Sequence, residues 1–214
     1  MVYLYLTDVS GLPDPLEFKK LFQSLTFERQ IRIQRMRSLI HRKQSLGAGL
    51  LLQTVLQEYG FSQEQIRTSP SGKPVCEGLE FNLSHSGSLV ICAVSDTPVG
   101  CDVEQVREAP RKLASRFFCE NEKDYLNACD SDVYDKEFYR MWTRKESYMK
   151  FTGEGIGLPL NAFEIVQGDT IGILRNGNLV DCKIHEYEVP GYCISVCTTD
   201  AELKICPVEV VKSK

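Results

Sequence analysis

The chain has 214 residues, a formal net charge of −4, and a composition that is 43% hydrophobic and 25% charged. These are the proportions of a folded globular protein, and no stretch reaches the roughly 18 to 20 uncharged apolar residues that a membrane-spanning helix needs. The slight acidity leaves no general basic footprint for nucleic acid, so any anion site has to be a local cluster.

The length allows one large domain or two of about a hundred residues. The start, Met-Val-Tyr-Leu-Tyr-Leu before Asp8, lacks the basic region and small-residue cleavage site of a secretory signal and reads as a first strand. Nine cysteines are scattered with no C-x-x-C pair, which argues against a disulfide framework and a zinc site. Several lie inside apolar runs such as Val90-Ile91-Cys92-Ala93-Val94, as reduced, buried thiols do, and the expected compartment is the reducing cytoplasm.

Along the chain, Asp14-Pro15 caps a short helix with an apolar stripe at Leu16, Phe18, Leu21 and Phe22. From Phe27 to Tyr59 the pattern is helical with a break near Ser38. Leu46, Leu50, Leu51, Val55 and Tyr59 give its second part a core-facing side before Gly60. Short apolar runs at Phe81 to Leu83, Leu89 to Val94 and Val99 to Glu104 read as strands. Helices are expected from Ala109 to Phe118 and from about Lys136 to Phe151, ending at Gly153, then mostly strands, with a final Lys-Ser-Lys that frays. The run Leu89 to Asp96 leading to Val103-Glu104 is echoed by Tyr192 to Asp200 leading to Val208-Glu209, which suggests two similar α+β halves. A boundary near residue 105 would give an N-terminal half of 1–105 and a C-terminal half of 106–214.

Three clusters carry chemistry. In Gly100-Cys101-Asp102-Val103-Glu104, strand alternation puts Asp102 and Glu104 on one face and Cys101 and Val103 on the other. Neighbouring carboxylates raise each other's pKa unless a cation compensates, so a divalent metal is a natural partner. In Trp142 to Lys150, helical spacing aligns Trp142, Glu146 and Lys150, while Arg144 and Lys145 make the helix locally basic. Gly72-Lys73-Pro74 and Asn82-Leu83-Ser84-His85-Ser86-Gly87 combine donors with close backbone approach and suit phosphate contacts. A Ser-His-Asp hydrolase is not indicated, since no G-x-S-x-G elbow occurs and Ser84 and His85 are neighbours.

In order and spacing, these blocks, with Arg116-Phe117-Phe118, Trp142-x-x-Lys145-Glu146-Ser147-x-x-Lys150 and Gly153-x-Gly155-x-Gly157-Leu158-Pro159-Leu160, resemble the signature blocks of Sfp-type 4'-phosphopantetheinyl transferases. The resemblance implies a monomeric α+β protein of two pseudo-twofold-related halves with the active site in the cleft between them. It implies Mg2+, with Mn2+ as a substitute, at Asp102, Glu104 and Glu146. The expected reaction moves 4'-phosphopantetheine from coenzyme A to a serine of an apo carrier protein of peptide, polyketide or fatty acid synthesis, releasing 3',5'-ADP.

By the same resemblance Glu146 is the base and Lys150 holds the transferring or leaving phosphate. Lys73, Pro74, Ser84 and His85 contact the nucleotide end of coenzyme A, and Asp102 meets its pyrophosphate through the metal. In the basic stretch Arg29, Arg32, Arg35, Arg37, Arg42 and Lys43, the chosen phosphate contact is Lys43. The region of Tyr125, Phe138, Tyr139 and Met141 offers either a docking face for the carrier helix or core packing. Two other readings use the same residues: a metal-dependent hydrolase of nucleotide pyrophosphates, and a non-catalytic coenzyme A-binding or carrier-binding module. The latter would be marked by loss of a metal carboxylate or of the helix lysine, and Asp102, Glu104, Glu146 and Lys150 are all present.

Overall fold

Runs that are apolar at successive positions become strands buried on both faces, and the clearest is Leu89–Ser95, where every residue is buried. The computed structural model describes residues 1–210 apart from 18, 70–72 and 169. Phe18, Gly72 and the terminal Lys-Ser-Lys named above therefore lie outside the described residues. The chain opens with β1 (Val2–Asp8), followed by helices α1 (Lys19–Gln23), α2 (Phe27–Arg35) and α3 (Leu39–Glu58). A small hairpin, β2 (Ile66–Thr68) and β3 (Pro74–Cys76), precedes β4 (Glu80–Ser86), β5 (Leu89–Ser95) and β6 (Val99–Gln105). Next come α4 (Arg111–Phe117), α5 (Glu120–Asn127), α6 (Ser131–Thr152) and the strands β7 (Phe163–Val166), β8 (Gly172–Arg175) and β9 (Asn178–Leu179). The last strands are β10 (Lys183–Val189), β11 (Tyr192–Thr198) and β12 (Leu203–Pro207).

Two sheets form the frame, ordered β12-β1-β5-β4 and β10-β11-β6. Alternate residues of β1 and β5 go to opposite cores. Val2, Leu4, Leu89, Ile91 and Ala93 pack with Val99, Cys101, Val103, Ile194 and Val196 between the sheets. Tyr5, Val90, Cys92 and Val94 instead pack under α3, and a third core lies among α4 to α6, β7 and β8. The layers thus run helix, sheet, sheet, helix, an α+β arrangement. The sequence echo falls on β5 and β11, each the middle strand of a strand, helix, hairpin unit: β1, α3, β4 and β5 in one, β6, α6, β10 and β11 in the other.

The division at residue 105 does not follow the sheets. β6 lies before it yet pairs with β11, and β12 lies after it yet runs parallel to β1, with Val2 opposite Leu203. The reason is that β1 has two edges to fill, and the hairpin β4–β5 fills only one.

The expected break at Ser38 is found, with Ser38 at the N-cap of α3, and Gly153 ends α6 at φ +72°. Helix α5 was not anticipated. Its capping partner is Glu122, whose Oε2 accepts from the Cys119 N–H at 2.8 Å, but a cysteine stands where Ser or Thr usually signals the cap. Gly100 decides how near α6 comes to β6. A Cβ there would lie 2.1 Å from the Ser147 carbonyl oxygen and 2.2 Å from the Phe151 nitrogen, so only glycine allows this contact. No described helix is long and apolar enough to cross a membrane.

Candidate functional site

Strands β4 and β6 meet along an edge through side chains. The Cys101, Val103 and Gln105 N–H groups donate to Asn82 Oδ1 at 2.9 Å, Ser84 Oγ at 3.4 Å and Ser86 Oγ at 3.1 Å. Both strands repeat every two residues, so one register satisfies all three contacts. The alternate residues of β6 are Asp102 and Glu104. Ser84 Oγ donates to Asp102 Oδ1 at 2.8 Å and Ser86 Oγ to Glu104 Oε2 at 2.7 Å.

The close approach at Gly100 delivers Glu146 and Lys150 from α6 to the same place. Lys150 Nζ donates to Asp102 Oδ1 at 2.6 Å, to Ser84 Oγ at 3.1 Å and to the Cys101 carbonyl at 3.1 Å. Burial disfavours its charge, but Asp102 leads the groups that outweigh this, and the ammonium pKa is raised. Glu146 is pushed up first by burial, then by the charge of Asp102 and, more weakly, of Glu104, against the pull of Lys150. Glu104 is raised by burial and by Asp102, with Ser86 and Lys150 acting against the shift. Three carboxylates therefore share a place with one ammonium.

Asp102 is 4% exposed, and its Oδ2 is buried without a hydrogen-bond partner. A buried, unsatisfied carboxylate oxygen is costly and calls for a cation. The expected three-ligand convergence is not preassembled: among the described residues no three His, Cys, Asp or Glu side chains already form a metal-holding group. Magnesium usually takes only one or two carboxylates directly and fills its shell with water and phosphate oxygens, so Asp102 with Glu104 and Glu146 at hand fits such an ion.

Beside these carboxylates the surface is cationic. Lys73 Nζ reaches across to the Lys150 carbonyl at 3.3 Å and the Val99 carbonyl at 3.4 Å, and burial lowers its pKa. Pro74 lines a cavity of about 470 Å³ with Arg29, Arg32, Phe27, Gln63 and Thr68. Arg29 donates to the Ser45 carbonyl at 3.2 Å, and the Ser45 hydroxyl is buried with no partner. His85, with His41, Gln44, Ser86 and Arg107, lines a second cavity of about 450 Å³. Desolvation, followed by the positive charges of Lys150, Arg29 and His41, lowers its pKa.

Lys43 is not brought to this surface. Its ammonium donates to the Ser10 carbonyl at 3.0 Å, because it leaves α3 on the side of the loop after β1. The basic residue that reaches the site is Arg29, whose stem crosses α3 at Gly49, where a Cβ would be 2.7 Å from Arg29 Cδ. Arg29 was visible in the basic stretch but not distinguished there. Ser45 carried no signal of its own, since its importance comes from a missing hydrogen bond.

The sequence model of the 4'-phosphopantetheinyl transferase superfamily matches residues 98–197, which hold Asp102, Glu104, Glu146 and Lys150. The chain is 37% identical to 4'-phosphopantetheinyl transferase Sfp of Bacillus subtilis (strain 168), over 71% of each chain. It is 32% identical to 4'-phosphopantetheinyl transferase psf-1 of Bacillus pumilus, over 85% of this chain and 82% of that one. The chain belongs to the Sfp-type 4'-phosphopantetheinyl transferases. A third relative, 4'-phosphopantetheinyl transferase gsp of Aneurinibacillus migulanus, is 35% identical over 72% of this chain and 67% of its own.

In this phosphopantetheinyl transferase the basic pair before Glu146 is not a surface feature. Arg144 is 5% exposed and grips Glu186 through Nε and Nη2 at 2.9 and 3.0 Å. Lys145 is fully buried, donating to Glu122 Oε1 at 2.5 Å and the Phe163 carbonyl at 2.7 Å. Glu122 also accepts from the Ile165 and Cys119 N–H groups, so the pair ties α5, α6 and β7 together with its polar atoms satisfied. Phe138 and Met141, each 1% exposed, belong to the core and offer no docking face, and Tyr125 spends its hydroxyl on Glu137. The surface open beside Glu146 is instead a cavity of about 380 Å³ lined by Arg116, Phe117, Trp142, Met149 and Leu158 to Asn161.

Lys145→Met leaves Glu122 as an uncompensated buried charge and is expected to destabilise the enzyme by about 3 to 5 kcal/mol, with the double change Lys145→Met, Glu122→Gln recovering part of the loss. Urea unfolding midpoints of the three proteins check this.

Proposed function

We propose that the enzyme transfers 4'-phosphopantetheine from coenzyme A to a serine of an apo carrier protein or domain of nonribosomal peptide, polyketide or fatty acid synthesis, with Mg2+ or Mn2+ bound by Asp102, Glu104 and Glu146. The observation that carries this is the unsatisfied Asp102 Oδ2 beside Glu104, Glu146 and Lys150, next to both a cationic surface and an apolar cavity. That the relatives are 4'-phosphopantetheinyl transferases supports the same reaction.

The nucleotide end of coenzyme A is assigned to the cationic surface. Arg29 and the unpartnered Ser45 hydroxyl receive phosphate oxygens there, with Lys73, Pro74 and His85 beside them. Ser84 is committed to Asp102 and Lys150 and therefore acts on the ligand through them. The cavity beside Glu146, walled by Trp142, Phe117, Met149 and Leu158, suits the uncharged pantetheine arm. The bound metal would supply charge neutralisation on the pyrophosphate oxygens.

The carrier serine oxygen forms a bond to the phosphorus bearing pantetheine, and the bond from that phosphorus to the bridging oxygen breaks. The serine proton passes to the Glu146 carboxylate, directly or through a water. The electron pair of the broken bond leaves with 3',5'-ADP. Lys150, held by Asp102, Ser84 and the Cys101 carbonyl, presents a fixed positive charge to the transferring or leaving phosphate.

With Mg2+, coenzyme A and an apo carrier, the carrier should gain the mass of one phosphopantetheine group, and Glu146→Gln should cut the rate by about 10²-fold or more. No gain on any of a panel of peptidyl, acyl and aryl carriers overturns the proposal; release of free phosphopantetheine without a carrier points to the hydrolase instead. Arg29→Ala is expected to raise KM for coenzyme A about tenfold with kcat little changed, and to have far less effect with dephospho-coenzyme A. Steady-state kinetics with the two substrates separates the outcomes.

Raised carboxylate pKa values also give the metal a signature in stability. Without metal, the contribution of Glu104 and Glu146 is fully present below their unfolded pKa, near 4.5, and is lost as pH rises through the folded values. Mg2+ binds the ionised forms, so the rise in Tm on adding about 10 mM Mg2+ should be larger near pH 7.5 than near pH 5. Asp102→Asn should abolish most of that difference in thermal scans.

A further inference from the structure

Ser86 is the last residue of β4 and takes no part in the functions assigned above. Its hydroxyl has one proton, and accepting from the Gln105 N–H at 3.1 Å leaves that proton free for Glu104 Oε2 at 2.7 Å. The strand end that carries it is tightly held. The Gly87 carbonyl accepts from the buried Gln44 side chain at 2.8 Å, and a Cβ on Gly87 would fall 2.5 Å from the Tyr192 hydroxyl oxygen and 2.7 Å from Gln105 Oε1.

Glu104 has far fewer restraints. Among the described residues it makes no ion pair, it is only half buried, and the cation that acts on it besides Lys150 is Arg107, which is already bonded to Gln105 Oε1. A glutamate with three side-chain torsions would turn toward Arg107 or solvent unless something held it. Asp102, one pleat away, is held by Ser84 and Lys150 together; Glu104 is held by Ser86.

We propose that Ser86 is a positioning residue that orients the Glu104 carboxylate toward the divalent ion at Asp102, so that its hydroxyl sets metal affinity without touching substrate. This rests on the reading of Asp102, Glu104 and Glu146 as the metal ligands. An outer hydrogen bond of this kind commonly changes metal affinity about 10- to 100-fold.

The test is Mn2+ binding to the full chain without coenzyme A or carrier, read from the free Mn2+ signal in electron paramagnetic resonance. Ser86→Ala should bind about tenfold more weakly and Ser86→Thr within about twofold of the unaltered enzyme. Ser86→Cys, similar in volume but a weak donor, should follow Ser86→Ala, and it serves if Ser86→Ala does not fold. In transfer assays the Mn2+ concentration for half-maximal rate should rise about tenfold for Ser86→Ala, while kcat at saturating Mn2+ stays within about twofold. Unchanged binding by Ser86→Ala and Ser86→Cys while Glu104→Gln binds weakly overturns the proposal and leaves the metal reading standing. Equal loss in Ser86→Thr and Ser86→Ala also overturns it, since the hydroxyl would then not be the cause. Unchanged binding by Glu104→Gln and Asp102→Asn overturns the metal reading itself and the proposal with it.

Discussion

Along the edge where the two sheets meet, side chains of β4 do what backbone carbonyls do in a ladder. Asn82, Ser84 and Ser86 accept the N–H groups of Cys101, Val103 and Gln105, and the Cys101 thiol returns a bond to the Asn82 carbonyl. A buried N–H left without a partner costs about 1 to 3 kcal/mol, so these contacts are needed if the sheets are to close on one another. Because a side chain is longer than a carbonyl, the strands stand further apart than ladder partners. The intervening acidic residues of β6 therefore lie in a gap bordered by hydroxyls. The placement of Asp102 and Glu104 is a by-product of how the frame is closed.

Charge in that gap is deliberately unbalanced. Lys150 meets Asp102 directly, while Glu104 and Glu146 are pushed toward their neutral forms by burial and by Asp102. Apolar packing in place of the gap would favour the folded state, so the cluster stands at a cost in stability, as functional sites commonly do. The opposite sign is concentrated a short distance away at Arg29 and Lys73, with His85 beside them pushed toward its neutral form by burial and by the charges of Lys150 and Arg29. A chain with net negative charge thereby keeps a local cationic site without becoming basic overall.

How much of this could be read in advance depends on the reach of each interaction. Asp102 and Glu104 followed from the period of a strand, and Glu146 with Lys150 from the turn of a helix, since both are local geometry. The two-unit arrangement was visible in the matching runs around Cys92 and Ser195, because strands buried on two faces have similar composition. The burial of Lys145 was not legible, since nothing near it in sequence names Glu122, which folds back from α5. Lys43 and Arg29 are alike as letters, and only the packing of α2 on Gly49 of α3 separates them. Likewise a cysteine at the start of α5 concealed a helix that its glutamate alone did not announce.

The parallel pairing of β12 with β1 has a consequence for how the molecule is made. Val2 to Leu6 and Leu203 to Pro207 are joined across a long stretch of sequence, so the first sheet is completed by a strand synthesised long after β1. Until then a synthesised N-terminal segment carries β1 with one open edge and β6 without β11. Closing such a loop is entropically slow, and high contact order of this kind delays the cooperative step of folding. The unit built on β1 is incomplete until β12 joins it, whereas β6, α6, β10 and β11 lie within one continuous stretch of chain. The contact of Lys150 in α6 with Asp102 in β6 and Ser84 in β4 spans both units, so the assembled cluster depends on their coming together.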